Sequence, residues 1–283
     1  MMSSMRVPKH FLLELTYRCN HHCLFCSCPW IEHSQLRGAE LPVDEWKKIV
    51  RKLFESGVRF LTLSGGEPLL KDEFCEILIY TAELPFESIC VFSNGKNVDS
   101  EILDLFCKYH IQWATSVPGI FSFKHLTGSD MSVRQLLDKI KQAAKKKIYV
   151  AVSITGVRRN LKEIPLTVML ARLYGASAIA LGPCMPEGRA LEYSDLWLTN
   201  REYHLLLSMA NLFNSCLKIP VTFSYEQRCL CYNIDGTPTN TVPESCNAGK
   251  DFMVVAPDGG VRKCMHSPER ICSIKEYFSK EAL

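Results

Sequence analysis

Short apolar runs alternate with amphipathic stretches over the first 220 residues of the chain. Phe11–Thr16, Val58–Leu63, Ser88–Phe92, Ile111–Val117, Ile148–Ile154 and Ser177–Leu181 read as strands. Between them Val43–Ser56, Lys71–Leu84, Val98–Tyr109, Ser132–Lys147 and Leu161–Tyr174 carry helical patterns, and Thr199–Leu217 adds another after the last strand. In the first helix Ile49, Leu53 and Phe54 fall at i, i+4 and i+5, a stripe that must be buried. Strands that alternate with helices predict an α/β fold of βαβ units with right-handed crossovers. The units take about 210 residues, whereas a full eight-unit barrel takes about 250, so the pattern predicts a partial (β/α)6 barrel.

After Pro220 the helical pattern stops. Asp235-Gly236-Thr237-Pro238 is loop chemistry. Phe252–Val255, Pro257-Asp258-Gly259-Gly260 and Val261–Lys263 predict a β-hairpin with a glycine-rich turn. The chain therefore divides into a barrel over 1–220 and an extension over 221–283. The extension is too small to build much core, so a metal staple suits it.

Composition narrows the class. Hydrophobic residues make up 47% and charged residues 22%, which excludes a disordered or fibrous chain. A net charge of +3 gives no case for nucleic acid or an anionic membrane as partner. No apolar run reaches membrane-spanning length, and no secretory signal opens the chain. With no export signal, a reducing, cytoplasmic compartment is expected. The 14 cysteines are the anomaly. In a reducing compartment they read as metal ligands, redox groups or small buried apolar residues.

Cys19-Asn-His-His-Cys23-Leu-Phe-Cys26 follows the first strand directly, where the loops of a parallel barrel form the active face. Three thiolates so spaced can hold three irons of a cubane cluster and leave the fourth iron open. Two plainer readings compete: a chance grouping, and a zinc site that lacks a second CxxC. Ser64-Gly65-Gly66-Glu67-Pro68 follows the second strand. Its glycines allow close approach of backbone to a ligand, Glu67 can accept from an ammonium group, and Pro68 stiffens the edge. Alone it could be an ordinary turn; one unit after the cysteine triad, it reinforces it. Cys28 reads as incidental.

These motifs resemble those of the radical S-adenosylmethionine (radical SAM) superfamily over roughly residues 9–220. Ser93-Asn94-Gly95, Ser116-Val117-Pro118-Gly119 and Pro186-Glu187-Gly188-Arg189-Ala190 resemble further turns of that family. The resemblance implies a [4Fe-4S] cluster on Cys19, Cys23 and Cys26. It implies S-adenosylmethionine (SAM) chelated at the open iron, its amino group on the edge formed by Gly65, Gly66, Glu67 and Pro68. Phe25 would lie against the adenine and Ser116 near the ribose. An electron donor such as flavodoxin or ferredoxin is implied as well. One-electron cleavage of SAM would yield a 5′-deoxyadenosyl radical that takes a hydrogen from substrate.

Cys246-Asn-Ala-Gly and the Gly259…Cys264 spacing resemble the opening of the SPASM or twitch extensions of such enzymes. The later cysteine-rich half of a full SPASM domain is missing, so at most one auxiliary iron–sulfur cluster fits. Cys246 and Cys264 would be two of its ligands, with Cys229, Cys231 or Cys272 completing it; the alternative is a metal-free tail. Relatives with such extensions modify peptides or proteins, and others act on small molecules. A peptide or protein maturase is the leading expectation and a small-molecule enzyme the second. A first strand near residue 10 leaves peptide recognition to a separate partner protein. A non-catalytic iron–sulfur or zinc protein is the alternative of another class, and it has no use for the Gly-Gly-Glu-Pro edge. Cys75, Cys90, Cys107 and Cys216 read as core, as does Cys184 in preference to a hydrogen donor at the barrel mouth.

Overall fold

The computed structural model describes residues 7–31, 38–216, 221–223 and 247–281. Six βα units follow one another: β1 (His10–Glu14), α1 (Val43–Glu55), β2 (Phe60–Ser64), α2 (Phe74–Ala82), β3 (Ser88–Phe92), α3 (Ser100–Lys108), β4 (Gln112–Ser116), α4 (Phe123–Thr127), α5 (Val133–Lys145), β5 (Val150–Gly156), α6 (Ile164–Leu173), β6 (Ala178–Pro183) and α7 (Asn200–Cys216). β1 to β6 pair in chain order, all parallel. This is the partial α/β barrel that the alternating pattern predicts.

The helices form for local reasons. In α1 the buried residues Trp46, Ile49, Val50 and Leu53 recur at i, i+3, i+4 and i+7, one face turned to the sheet. α5 starts on a capping box, in which Ser132 accepts from Gln135 N and the Gln135 side chain accepts from Ser132 N. Along β5 buried and half-buried residues alternate, as expected of a strand with one face in the core.

The chain departs from the sequence pattern at three places. Val221–Phe223 forms a seventh parallel strand, β7, on β6. Phe252–Val255 (β8), Gly260–Arg262 (β9) and Arg270–Ser273 (β10) extend the opposite edge, and Ile274–Glu281 forms a helix, α8. The expectation that helical structure ends at Pro220 is therefore corrected. The predicted hairpin is present as antiparallel β8 and β9, but β8 also pairs in parallel with β1. The strand order is β10-β9-β8-β1-β2-β3-β4-β5-β6-β7, one ten-stranded sheet with two edges. Met253, Val255, Val261, Ile274 and Tyr277 join the same core as Phe11, Leu13 and Trp46. A tail too small for a core of its own shares that of the barrel.

Candidate functional site

β1 runs out at Glu14, and residues 15–18 continue alongside the end of β2. Leu15 N donates to Ser64 O at 2.9 Å, Gly66 N to Thr16 O at 2.8 Å and Glu67 N to Arg18 O at 2.9 Å. The glycines serve this approach. A Cβ on Gly65, whose φ is +139°, would lie 2.3 Å from Thr16 O, and one on Gly66 would lie 2.4 Å from Arg18 O. Both glycines thus lie against the chain's own backbone, and Gly66 also borders the cavity described below.

The cysteine loop starts where this ladder ends and is held from two sides. His22 N and Leu24 N donate to Thr127 O and Leu126 O of α4, at 2.8 and 2.9 Å. From the other side Arg189 Nη1 donates to Cys23 O at 3.1 Å, and Ala190 N to Cys26 O at 3.3 Å. Gly188, at φ +57°, packs so closely that a Cβ would meet Cys28 O at 2.5 Å. The stretch Pro186–Ala190 thus clamps the loop.

Cys19, Cys23 and Cys26 line one cavity of about 500 Å³ together with Cys28, Gly66 and Arg189. All four cysteines are reduced thiols. Burial pushes the Cys19 and Cys23 thiols up; for Cys23 the neighbouring Cys26 and Cys19 add to this, and the Arg189 guanidinium opposes it at both. Cys26 is drawn down to about 7, chiefly because the Cys28 thiol donates to its sulfur. Cys28 is therefore a partner of the triad, which corrects its reading as incidental.

The donor set fits an iron–sulfur cluster. Three thiols face one cavity beside a cation, and soft thiolates suit iron–sulfur centres better than hard cations. Among the described residues no three His, Cys, Asp or Glu side chains are grouped to hold a single metal ion. A cubane cluster asks for a different arrangement, one thiolate on each of three irons.

Glu67 is fully buried. Its Oε1 accepts from Ser93 Oγ at 2.7 Å and from Leu69 N at 3.3 Å, and its Oε2 accepts from Asn94 N at 2.7 Å. Burial raises its pKa to about 7, against these bonds, which lower it. The carboxylate thus braces the turn after β3. Asn94 Nδ2 in turn donates to Asn20 Oδ1 at 2.7 Å, which ties that turn to the cysteine loop. Pro68 opens a 3-10 turn over Pro68–Leu70 and is buried.

Phe25 is buried with Leu126, Val157, Cys184, Ala190 and Leu196 in a second apolar cluster beside the cysteine loop. Ser116 is half-buried at the C-terminal end of β4, opposite Ser153 on β5. Cys184 follows β6, and burial raises its thiol to about 12. In the tail, Cys264 lies past the end of β9, and His266 N donates to its sulfur at 3.4 Å. Cys272 sits on β10 opposite Val261, on the middle rung of that pairing, and packs against the core. Cys229, Cys231 and Cys246 lie outside the described residues.

Sequence reasoning missed five lining residues: Tyr17, Arg18, Trp30, Gly38 and Glu40. Tyr17 stacks on Trp30 with ring centroids 5.0 Å apart. Both aromatics flank the triad and could have been noticed from that position. Glu40 carries no local signal. Its oxygens accept from Thr16 Oγ1 at 2.5 Å and Lys71 Nζ at 3.2 Å, contacts that only the fold creates.

The family model described as the radical SAM superfamily matches residues 13–171. The sporulation killing factor maturation protein SkfB of Bacillus subtilis is 29% identical over 188 residues, 66% of this chain and 45% of that one. The antilisterial bacteriocin subtilosin biosynthesis protein AlbA, also of Bacillus subtilis, is 26% identical over 275 residues, 93% of this chain and 56% of that one. The chain thus spans about half the length of these curated relatives. Among solved structures, Streptococcus suis SuiB bound to its precursor peptide SuiA superposes with a TM-score of 0.75 at 15% identity, over 98% of this chain and 64% of that one. SuiB bound to S-adenosylmethionine gives 0.72 at 14% identity, over 92% of this chain and 60% of that one. At such identities the likeness is one of fold.

Proposed function

Because the chain belongs to the radical SAM superfamily, we propose that it holds a [4Fe-4S] cluster on Cys19, Cys23 and Cys26, binds SAM beside it, and modifies a peptide or protein. The observation that carries this reading is the single cavity lined by the three thiols, Gly66 and Arg189. When bound, the cluster and SAM supply reductive cleavage to a 5′-deoxyadenosyl radical that abstracts hydrogen from substrate.

The chain's own groups prepare that chemistry. Arg189 favours the anionic form of all three ligand sulfurs, and the Cys28 thiol favours that of Cys26. Gly66 presents the edge of β2 to the cavity. Glu67 fixes that edge to the turn at Ser93 and Asn94, and Pro68 stiffens its exit. Phe25 and its apolar neighbours keep water from one side. Ser116 offers a hydroxyl at the mouth of β4.

The names of the curated relatives, a maturation protein and a bacteriocin biosynthesis protein, favour a peptide substrate. We assign the electron to a flavodoxin or ferredoxin, peptide recognition to a separate protein, and the enzyme to the cytoplasm; no described helix is long and apolar enough to cross a membrane. Residues 221–283 are the twitch-like extension, with Cys246 and Cys264 in an auxiliary cluster completed by Cys229 or Cys231. The packing of Cys272 against the hydrophobic core disfavours it as a ligand alongside Cys264.

Anaerobic reconstitution with iron and sulfide, followed by reductant and SAM, tests the reading. Release of 5′-deoxyadenosine supports it, and iron binding without SAM cleavage would favour the non-catalytic iron–sulfur alternative. Deuterium transfer into 5′-deoxyadenosine from a labelled peptide, rather than from a labelled small molecule, would support the substrate class.

A further inference from the structure

The guanidinium of Arg262 is fully buried at the end of β9, inside the Gly259…Cys264 stretch, where only the glycines and the cysteine drew a reading. It forms an ion pair with Glu14, itself buried at the end of β1 and 248 residues away in sequence. The other arm of the same guanidinium donates to Ser267 O at 2.9 Å and Met265 O at 3.4 Å. One side chain therefore joins the strand that feeds the cysteine loop to the loop that follows Cys264. A buried ion pair gives little net stability over an apolar pair of similar size, so a role in fixing one arrangement accounts better for it.

What Arg262 holds in place touches the cavity twice. His266, in the loop that Arg262 grips, is half-buried and hydrogen-bonded to the backbone at Ser27, just past Cys26. On the other side, the β8–β9 turn supports residues 38–41. Leu41 N donates to Pro257 O at 2.7 Å. Gly38 sits so close that a Cβ there would lie 2.7 Å from Asp258 Oδ2. Asp258 is steadied by Arg270 at 2.6 Å. Gly38 and Glu40 line the cavity with the cysteines. The hairpin carrying both contacts is seated on β1 by parallel pairing from His10 with Phe252 to Leu13 with Val255. Arg262, on β9 opposite Val254, reaches across β8 to Glu14, the residue just past that seam.

We infer that Arg262 is a positioning residue for the cofactor cavity: paired with Glu14, it seats the C-terminal hairpin on β1 so that the hairpin sets the 38–41 wall and the Ser27–Cys28 side of the cysteine loop. This rests on the reading of the cavity as the SAM site. It gives the extension a task at the SAM cavity that needs no metal in the tail.

The test uses the full-length reconstituted protein. Glu14→Met together with Arg262→Met removes both charges at similar volume and leaves neither orphaned. The double variant should keep its melting temperature and the cluster on Cys19, Cys23 and Cys26. Its affinity for SAM, by equilibrium dialysis, should weaken about tenfold. The change that SAM causes in the electron paramagnetic resonance spectrum of the reduced cluster should shrink with it. Wild-type affinity and an unaltered spectral change in the folded double variant would overturn the inference. Should that variant not fold, Arg262→Lys keeps the charge opposite Glu14 but lacks the fork that reaches both carbonyls. It should melt like wild type and bind SAM more weakly, and undiminished affinity there overturns the inference equally. Wild-type protein that binds iron but no SAM would instead overturn the functional reading, and this inference with it.

Discussion

The Glu67 carboxylate accepts the backbone N–H of Asn94 at 2.7 Å, so the loop after β2 and the turn after β3 are held by one buried side chain. With Ser93 Oγ and Leu69 N also donating, the group is enclosed by donors yet shut off from water. Its pKa of about 7 stands above the ordinary glutamate value of 4.5. The folded protein keeps the proton between those values, whereas the unfolded chain has released it. Glu67 therefore contributes stability that is fully present below about pH 4.5 and lost as pH rises through about 7, roughly 3 kcal/mol in all. Urea unfolding of the metal-free protein at about pH 5 and pH 8 should show wild type losing more stability across that interval than Glu67→Gln, which has no proton to release. Equal losses in the two proteins would contradict the assignment.

Replacing Cys19, Cys23 and Cys26 together by Ala should abolish reductive SAM cleavage and leave a soluble barrel. The loop keeps its backbone bonds to Leu126, Thr127 and Ala190, none of which needs a thiol. Circular dichroism checks the fold, and chromatographic assay of 5′-deoxyadenosine checks the chemistry. Cleavage persisting in the triple variant would sink the ligand assignment.

Gly65→Val and Gly66→Val should each cost more than about 2 kcal/mol, since the new Cβ would collide with a backbone carbonyl that has no room to move. Residues 16–18 lead straight into Cys19, so iron loading should fall along with SAM affinity. Gly57→Ala is the comparison. Its φ is +97° with nothing within 4 Å of a Cβ, so strain is its only penalty, about 1 kcal/mol. Thermal melts of the three variants order these costs, and a Gly66→Val protein as stable as Gly57→Ala would remove the close-approach explanation.

If the extension holds a cluster, reconstituted wild type should carry about eight irons, four for each cubane cluster. Cys246→Ala with Cys264→Ala should lower the count to about four and make the region after Pro220 sensitive to protease. A count of about four in both proteins would mean a metal-free tail and would leave the SAM site unaffected.

Sequence alone determined the elements whose signals are local. The apolar period placed β1 to β6 and their helices within a few residues, because a strand or amphipathic helix is written in neighbouring positions. The cysteine spacing and the Gly-Gly-Glu-Pro edge were legible for the same reason, and parallel topology brought both to the C-terminal end of adjacent strands. α4, at five residues, was too short to show a period, and β7, at three, too short to show alternation.

Only the tertiary structure decided what depends on pairing between distant segments. Nothing in Phe252–Val255 tells that strand to lie against His10–Leu13, since a strand's edge is open to any partner and the choice is made by the core that both must bury. For the same reason the bonds that Glu67 accepts from Ser93 and Asn94, and the meeting of the Cys28 thiol with Cys26, have no local signature. The hairpin strand that carries Arg262 is legible in sequence, but the burial of Arg262 is not: a cation is expected at the surface, and its burial makes sense only once Glu14 lies opposite. The sequence thus specified which chemistry the chain carries, and long-range packing specified which groups support it.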